Sequence, residues 1–322
     1  MDGIRARDLV EVSSDPSVLG DGDFWAVQVS FEGEMSFAKF GKVEAAEFPE
    51  FDWEQFHGSW SSSATDGEYV QYVESVRNAI SEGGVYQVNA CRELSHPISS
   101  EQSLEGLFTK LLAGNPSPRA AYLTLPNIEV ASATPERFLT RNESTILTSP
   151  IKGTIRPNES EFGEKDKAEN LMIVDLMRND LGQICVPGSV DVADLFRTEP
   201  HPGLVHLVSD VQGELRNNVS WSEIFKATLP PGSVSGAPKS AALKIIEAHE
   251  SQRGPYCGAL GWVHGDRADL SVAIRTFWKS GDGYIRFGTG AGITWGSNAR
   301  SEWEETQLKA RTLISIAGGQ LS

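Results

Sequence analysis

Positive charge is scarce in this 322-residue chain: 28 lysines and arginines face 44 aspartates and glutamates, for a formal net charge of −16. A chain so acidic repels phosphate backbones and anionic lipid, so neither a nucleic-acid partner nor a membrane-surface role is expected. Cysteine is scarcer still. Cys91, Cys185 and Cys257 stand at wide, odd spacing, which gives no disulfide framework, no CxxC pair and no zinc pattern; three reduced thiols are expected. No apolar run approaches the ~18 residues of a membrane span. The opening MDGIRARDLV carries no apolar signal core, and a cytoplasmic location is expected. What remains is an ordinary globular composition, 39% apolar and 22% charged, with material for one large or two ordinary domains.

The Ser/Asp/Gly-rich SWSSSATDGE at residues 59–68 reads as a boundary, so residues 1–65 are expected to form a strand-rich N-terminal region and 66–322 a larger unit. Before it, FWAVQVSFEG and MSFAKFGKVEAAEF alternate like strands around a Gly-bearing turn. After it, Tyr69, Tyr72, Val73, Val76 and Ile80 recur at helical spacing until Gly83-Gly84. VYQVNACREL predicts a strand and LEGLFTKLLAG a helix; AAYLTLP, IEVASATP and STILTS predict strands. Helices are predicted from Lys165 to Asp180, from Pro238 through KSAALKIIEAHE, and from Ser301 to Ile316. RADLSVAIRTFW and YIRFGTGAGIT each predict one strand. Helices and strands alternate irregularly with many hairpin-like pairs, which points to a large, mainly antiparallel α+β fold.

Two glycine-rich stretches are decoys. GTGAGIT at 288–294 lacks the sixth-place glycine of a dinucleotide loop and no helix follows; GSVSGAPKS at 232–240 has the wrong spacing for a phosphate loop, and Pro238 interrupts it. GSVSGAPKS still leads into a helix start, which is either a plain cap or an anion site.

The charged residues offer weak signals singly. Lys152, in SPIKGTIRP, is either a loop residue beside a Gly-Thr turn or a side chain held in a pocket. Glu302, Glu305 and Lys309 share one helix face, solvated or functional. With Glu169, early in another helix, they could form a hard oxygen site suited to Mg²⁺. Arg275, inside the predicted strand VAIRTFW, needs an anionic partner, either a structural acid or a substrate carboxylate. His206, in the apolar alternation LVHLVSDV, is a satisfied core residue or a site residue.

Taken together and in order, ASATPERFL, SPIKGT, KDKAENLMIVDLMRNDLG, GLVHLVSDVQGEL, PPGSVSGAPKSAALKIIE, RGPYCGALG, VAIRTFW, GTGAGIT and SEWEETQLKA resemble the chorismate-utilising enzymes, over roughly residues 66–315. The resemblance implies an anthranilate synthase component I-like α+β fold, chorismate as substrate and Mg²⁺ as cofactor. By motif position it implies Glu169, Glu302 and Glu305 as metal-binding acids and Glu136 as the acid that protonates the departing C4 hydroxyl. His206 and Ser233 would line the ring and its hydroxyl. Tyr256, Arg275, Gly290, Gly292 and Lys309 would bind carboxylate, and Gln87 and Asn89 of the early strand join the substrate-binding set.

Family members that add water to chorismate carry a lysine in that early strand, where this chain has Gln87; anthranilate synthases typically have alanine where it has Lys152. The PIKGT form resembles the aminodeoxychorismate synthase component I branch. That implies amination at C4 through a Lys152 adduct, with ammonia supplied from glutamine by a glutamine amidotransferase subunit, in p-aminobenzoate and folate synthesis. Anthranilate synthase chemistry and a non-catalytic chorismate-binding subunit are the alternatives. Only about 65 residues precede the first helix, where aminating members have a larger half, so no tight tryptophan site is expected. IRPNESEFGE is short for a component I loop, which bears on loop closure.

Overall fold

The computed structural model describes residues 3–156, 161–201 and 204–321. Two sheets dominate. The ten-stranded sheet runs β1 (Ile4–Ser13), β3 (Met35–Ala45), β2 (Phe24–Val29), β14 (Ala259–His264), β15 (Arg267–Val272), β8 (Arg137–Asn142), β9 (Thr145–Ser149), β12 (Leu204–Glu214), β10 (Ile151–Ile155), with β11 (Asp191–His201) also paired to β12. The eight-stranded sheet runs β18 (Gly318–Leu321), β4 (Phe56–Ser62), β5 (Gln87–Pro97), β17 (Tyr284–Ile293), β16 (Thr276–Lys279), β7 (Ile128–Ser132), β6 (Ala121–Leu125), with the two-residue β13 (Gly236–Ala237) on β5. Among the described residues only β18 with β4 is parallel. The mainly antiparallel α+β architecture expected from the sequence is the one observed. Residues before Asp66 supply β1 to β3 to one sheet and β4 to the other.

Among the described residues six α-helices pack on these sheets: α1 (Asp66–Ser81), α2 (Glu105–Gly114), α3 (Glu164–Gly182), α4 (Trp221–Thr228), α5 (Lys239–His249) and α6 (Ala299–Ala317). Local chemistry sets their ends. Thr65 and Glu68 form a reciprocal capping box at the start of α1, satisfying two otherwise orphaned N–H groups, and Tyr69, Tyr72, Val73 and Val76 are its buried stripe. α3 lies on β10 and β12, and α6 lies on β17 beside α1 and α2. One core joins both sheets through residues such as Trp25, Phe37, Val88, Ile173 and Leu270; a second, around Trp60, Leu107, Phe277 and Leu313, fills the space under α2 and α6. Among the described residues no helix is long and apolar enough to cross a membrane.

Two expectations are corrected. RADLSVAIRTFW is not one strand. β15 ends at Val272, the chain leaves the first sheet, and β16 enters the second at Thr276. Arg275 therefore sits outside any strand, at φ +52°, a left-handed conformation that costs a non-glycine residue roughly 1–3 kcal/mol. The same switch happens in reverse between β7 and β8, where Ala133 to Glu136 cross from the second sheet to the first. The other correction concerns Lys152, which lies on β10 rather than in a turn. Of the stretch IRPNESEFGE, residues 157–160 lie outside the described residues.

Candidate active site

Lys152 is placed by an irregular strand. β10 pairs with β12 at Ile151–Val208 and Thr154–His206, with a register break between. Gly153 occupies that break at φ +91°, and a Cβ there would stand 2.9 Å from the Asp166 Cβ, so only glycine lets the strand lie this close to α3. The part-buried Lys152 Nζ donates to the Ser233 carbonyl at 2.9 Å. Burial pushes the Lys152 amine below its usual range, while Glu169 and Glu136 pull it back up and Lys309 pushes it down.

The Ser233 carbonyl belongs to a buried 3-10 turn, Gly232–Val234, which precedes α5. Side chains of Leu176 and Met177 from α3 would lie 2.5 Å from a Cβ at Gly232. At the start of α5 the Lys239 ammonium donates to Asp180 of α3 at 2.8 Å, and burial raises the Asp180 carboxyl to about 6.

Glu136 sits at the sheet crossing, 4% exposed. Burial pushes its carboxyl up, opposed by Ser233, Lys152, the Ile151 N–H and Arg275. Its Oε1 is buried with no hydrogen-bond partner among the described residues. Arg275, at the neighbouring crossing, is pushed down by burial and pulled up by Glu136. His206 is 2% exposed; its Nδ1 shares a 2.8 Å hydrogen bond with Thr154 Oγ1, and its Nε2 is a second unpartnered buried atom. Burial, with Arg275 and His201 nearby, lowers the imidazole to about 4, so it is neutral at neutral pH. Gln87, 1% exposed, supplies a third unpartnered atom, its amide Oε1. Each unpartnered atom would cost on the order of 1–3 kcal/mol unless a ligand meets it.

The predicted metal acids come from α3 and α6. Lys165 Nζ lies 3.7 Å from Glu169 and 3.9 Å from Glu302. Burial raises both carboxyls, and Glu305 raises Glu302 further. Glu305 pairs with Lys309 at 2.6 Å. Among the described residues no group of three His, Cys, Asp or Glu side chains is arranged to hold a metal ion. The donor chemistry nevertheless fits a divalent cation: two partly desolvated carboxylates converge on one ammonium, which marks the point where positive charge is needed.

The glycine-rich strand β17 forms one wall. A Cβ at Gly292 would stand 2.4 Å from Gln87 Nε2 and 3.8 Å from Lys152 Nζ; one at Gly290 would stand 2.5 Å from Cys91 Sγ. Lys309 Nζ donates to the Gly290 carbonyl at 3.0 Å. Asn89 Nδ2 donates to the Val234 carbonyl at 3.2 Å. Tyr256 lies further along the wall: its ring covers Gly288, where a Cβ would stand 2.2 Å away, and its hydroxyl is 3.9 Å from Cys91 Sγ. Lys152, Glu136, Ser233, Glu169, Glu305 and Lys309 thus share one electrostatic neighbourhood, with Tyr256 off to its side. Sequence reading missed Thr154 and Lys165. The i, i+4 spacing of Lys165 and Glu169 was the available signal for the second.

This assembly can be set against known proteins. The model of chorismate binding enzymes matches residues 28–315. The chain belongs to the chorismate binding enzyme family. It is 36% identical over 273 residues to aminodeoxychorismate synthase component 1 of Salmonella typhimurium, covering 80% of this chain and 59% of that protein. It is 36% identical over 270 residues to anthranilate synthase component 1 of Aquifex aeolicus, covering 80% and 54%. The chain therefore spans somewhat over half the length of these relatives. Its fold matches anthranilate synthase component I from Streptococcus pneumoniae, with TM-score 0.79 and 24% identity over 90% of this chain and 80% of that one. It also matches the menaquinone-specific isochorismate synthase of Escherichia coli, with TM-score 0.81 and 17% identity over 98% and 85%. An aminodeoxychorismate synthase component 1 and an anthranilate synthase component 1 thus stand at the same identity to this chain.

Proposed function

We propose that this chain acts as an aminodeoxychorismate synthase component 1, converting chorismate and ammonia to 4-amino-4-deoxychorismate for p-aminobenzoate and folate synthesis. The observation that carries this reading is Lys152: an amine on a strand, pushed toward its neutral form by burial, beside a protonation-prone Glu136. A neutral amine is a nucleophile, whereas ammonium is not.

In this reading the Lys152 amine attacks C2 of the ring, and the ring double bonds shift toward C4. Glu136 gives its proton to the C4 hydroxyl, which leaves as water. Ammonia then adds at C4, the double bonds shift back, and the C2–nitrogen bond breaks to return Lys152. The proton shed by the incoming ammonia restores Glu136. His206, neutral, and Gln87 offer their unpartnered atoms to the ring substituents; Arg275, Lys309 and the side-chain-free backbone of Gly290 and Gly292 take carboxylate. Mg²⁺, held by Glu169, Glu302 and Glu305, would supply the positive charge that lets a substrate carboxylate approach these acids. Residues 1–65 serve as the strand-rich edge of the same catalytic unit.

The three cysteines are buried, and none is open to act as a glutaminase nucleophile. A glutamine amidotransferase subunit is therefore proposed as the ammonia donor, and the isolated chain should use ammonium but not glutamine. The rival is anthranilate synthase chemistry, which the Aquifex relative's equal identity leaves standing. Incubation with chorismate, Mg²⁺ and ammonium, followed by mass analysis of products, separates the two. Aminodeoxychorismate retains the enolpyruvyl group. Anthranilate with stoichiometric pyruvate contradicts the proposal, and absence of any turnover favours a non-catalytic binding subunit.

A further inference from the structure

Behind the Ser233 turn lies a charged pair that the chemistry above does not use. Arg253 is 5% exposed and binds Glu250 twice, through Nε to Oε2 at 2.7 Å and Nη2 to Oε1 at 2.8 Å. The remaining reach of the guanidinium goes to backbone. Nη1 donates to the Val234 carbonyl at 2.9 Å, and Nη2 to the Asn89 carbonyl at 2.7 Å. The pair is itself anchored: Glu250 Oε1 accepts from the Tyr72 hydroxyl at 2.8 Å and the Cys91 N–H at 2.9 Å. Glu32 accepts from the Arg253 and Gly254 N–H groups at 2.7 and 3.1 Å, and the guanidinium lies over the Phe31 ring at 4.2 Å.

We propose that Arg253, oriented by Glu250, is a positioning residue for Lys152: it fixes the turn whose Ser233 carbonyl receives the lysine. The inference rests on Lys152 being the working amine. Its geometry is a two-peptide relay. The Ser233 carbonyl takes Lys152, and the next carbonyl, of Val234, takes Arg253. The same guanidinium ties that turn to Asn89 on β5, so the turn cannot shift relative to the wall that carries Gln87. Only arginine does this, because its planar fork reaches a carboxylate and two separate carbonyls at once, whereas lysine is a single point of donation. A largely buried ion pair adds little stability over an apolar pair of similar volume, which argues for a role in geometry.

Two variants of the whole chain test this. Arg253→Lys keeps the charge balance but loses the bridge; the double variant Arg253→Met with Glu250→Gln removes both charges and keeps the volume. Each is expected to fold, with a midpoint within about 5 °C of the parent. The expected kinetic signature with chorismate and ammonium is a kcat lowered about tenfold or more at a chorismate KM changed less than about threefold. Modification of Lys152 by an amine-reactive ester, read on its peptide by mass spectrometry, should change by about threefold or more. Parent kcat and parent labelling in either folded variant would overturn the proposal. Loss of folding in both would overturn it too, by assigning the pair to fold stability. A Lys152→Ala control separates the two claims. If it retains parent rates, the reading of Lys152 fails, while altered labelling in the Arg253 variants still reports positioning.

Discussion

Glu136 and Arg275 occupy paired crossings between the two sheets. The Val272 N–H donates to the Glu136 carbonyl at 3.1 Å, and the Ala133 N–H donates to the Arg275 carbonyl at 3.0 Å. Each crossing leaves a side chain free of either ladder, which is how an acid and a cation come to face one another in the interior. Arg275 and Lys152 hold the Glu136 carboxyl down against burial. Removing the Arg275 charge must therefore raise the Glu136 pKa further. Arg275→Gln is expected to raise the chorismate KM and to move the high-pH limb of kcat upward, since the acid stays protonated longer. A pH–rate series checks it; a limb moved to lower pH contradicts the assignment.

His206 gives a stability signature. Its imidazole falls from 6.5 unfolded to about 4 folded. Between those values the unfolded chain binds a proton that the folded chain does not, so stability is fully present above pH 6.5 and is lost as pH falls toward 4. The shift amounts to about 3 kcal/mol at most. Denaturant unfolding of His206→Asn at pH 6.5 and 4.5 should show that part of the pH dependence gone. A slope identical to the parent's would assign the acid sensitivity elsewhere.

The helices and most strands were legible because their signals are local. Thr65-x-x-Glu68 announces α1, and Tyr69, Tyr72, Val73 and Val76 give it a face. The break at Ala273–Arg275 was not legible, since apolar alternation continues through it and only long-range pairing reveals the change of sheet. Pro150 and Gly153 made Lys152 look like a turn residue; its strand depends on β12, more than 50 residues later. The candidate site residues were named from motif resemblance, residue by residue. Its internal wiring was not: Lys152 meets Ser233 across 81 positions and Arg253 meets Asn89 across 164.

For the proposed metal acids, thermal unfolding with added Mg²⁺ gives a readout independent of turnover. At about 100 times the dissociation constant the ion should stabilise the folded chain by about 2.7 kcal/mol. Glu169→Gln and Glu302→Gln should each remove most of that shift. Lys165 stands between the two carboxylates, so Lys165→Gln should bind Mg²⁺ more tightly than the parent. A midpoint unaffected by Mg²⁺ in the parent contradicts the assignment.

Gly292 is a sensitive wall position. The Cβ of alanine there would stand 2.4 Å from Gln87 Nε2 and near Lys152 Nζ. Gln87 must move, and the chain's φ at 292 poses no obstacle, so the fold should survive. Gly292→Ala is expected to lower kcat/KM for chorismate about tenfold or more with a near-parent unfolding midpoint. Unchanged kcat/KM would place the substrate away from this strand.

The central claim is that Lys152 bonds to the substrate. Enzyme quenched during turnover with chorismate and ammonium, digested and analysed by mass spectrometry, should carry a chorismate-derived adduct on the peptide containing Lys152. Lys152→Ala should lose both adduct and aminodeoxychorismate formation while its Mg²⁺-induced stabilisation persists, and Lys152→Arg should not rescue, because guanidinium remains protonated. Parent-level aminodeoxychorismate formation by Lys152→Ala, with no adduct in the parent, would contradict the account.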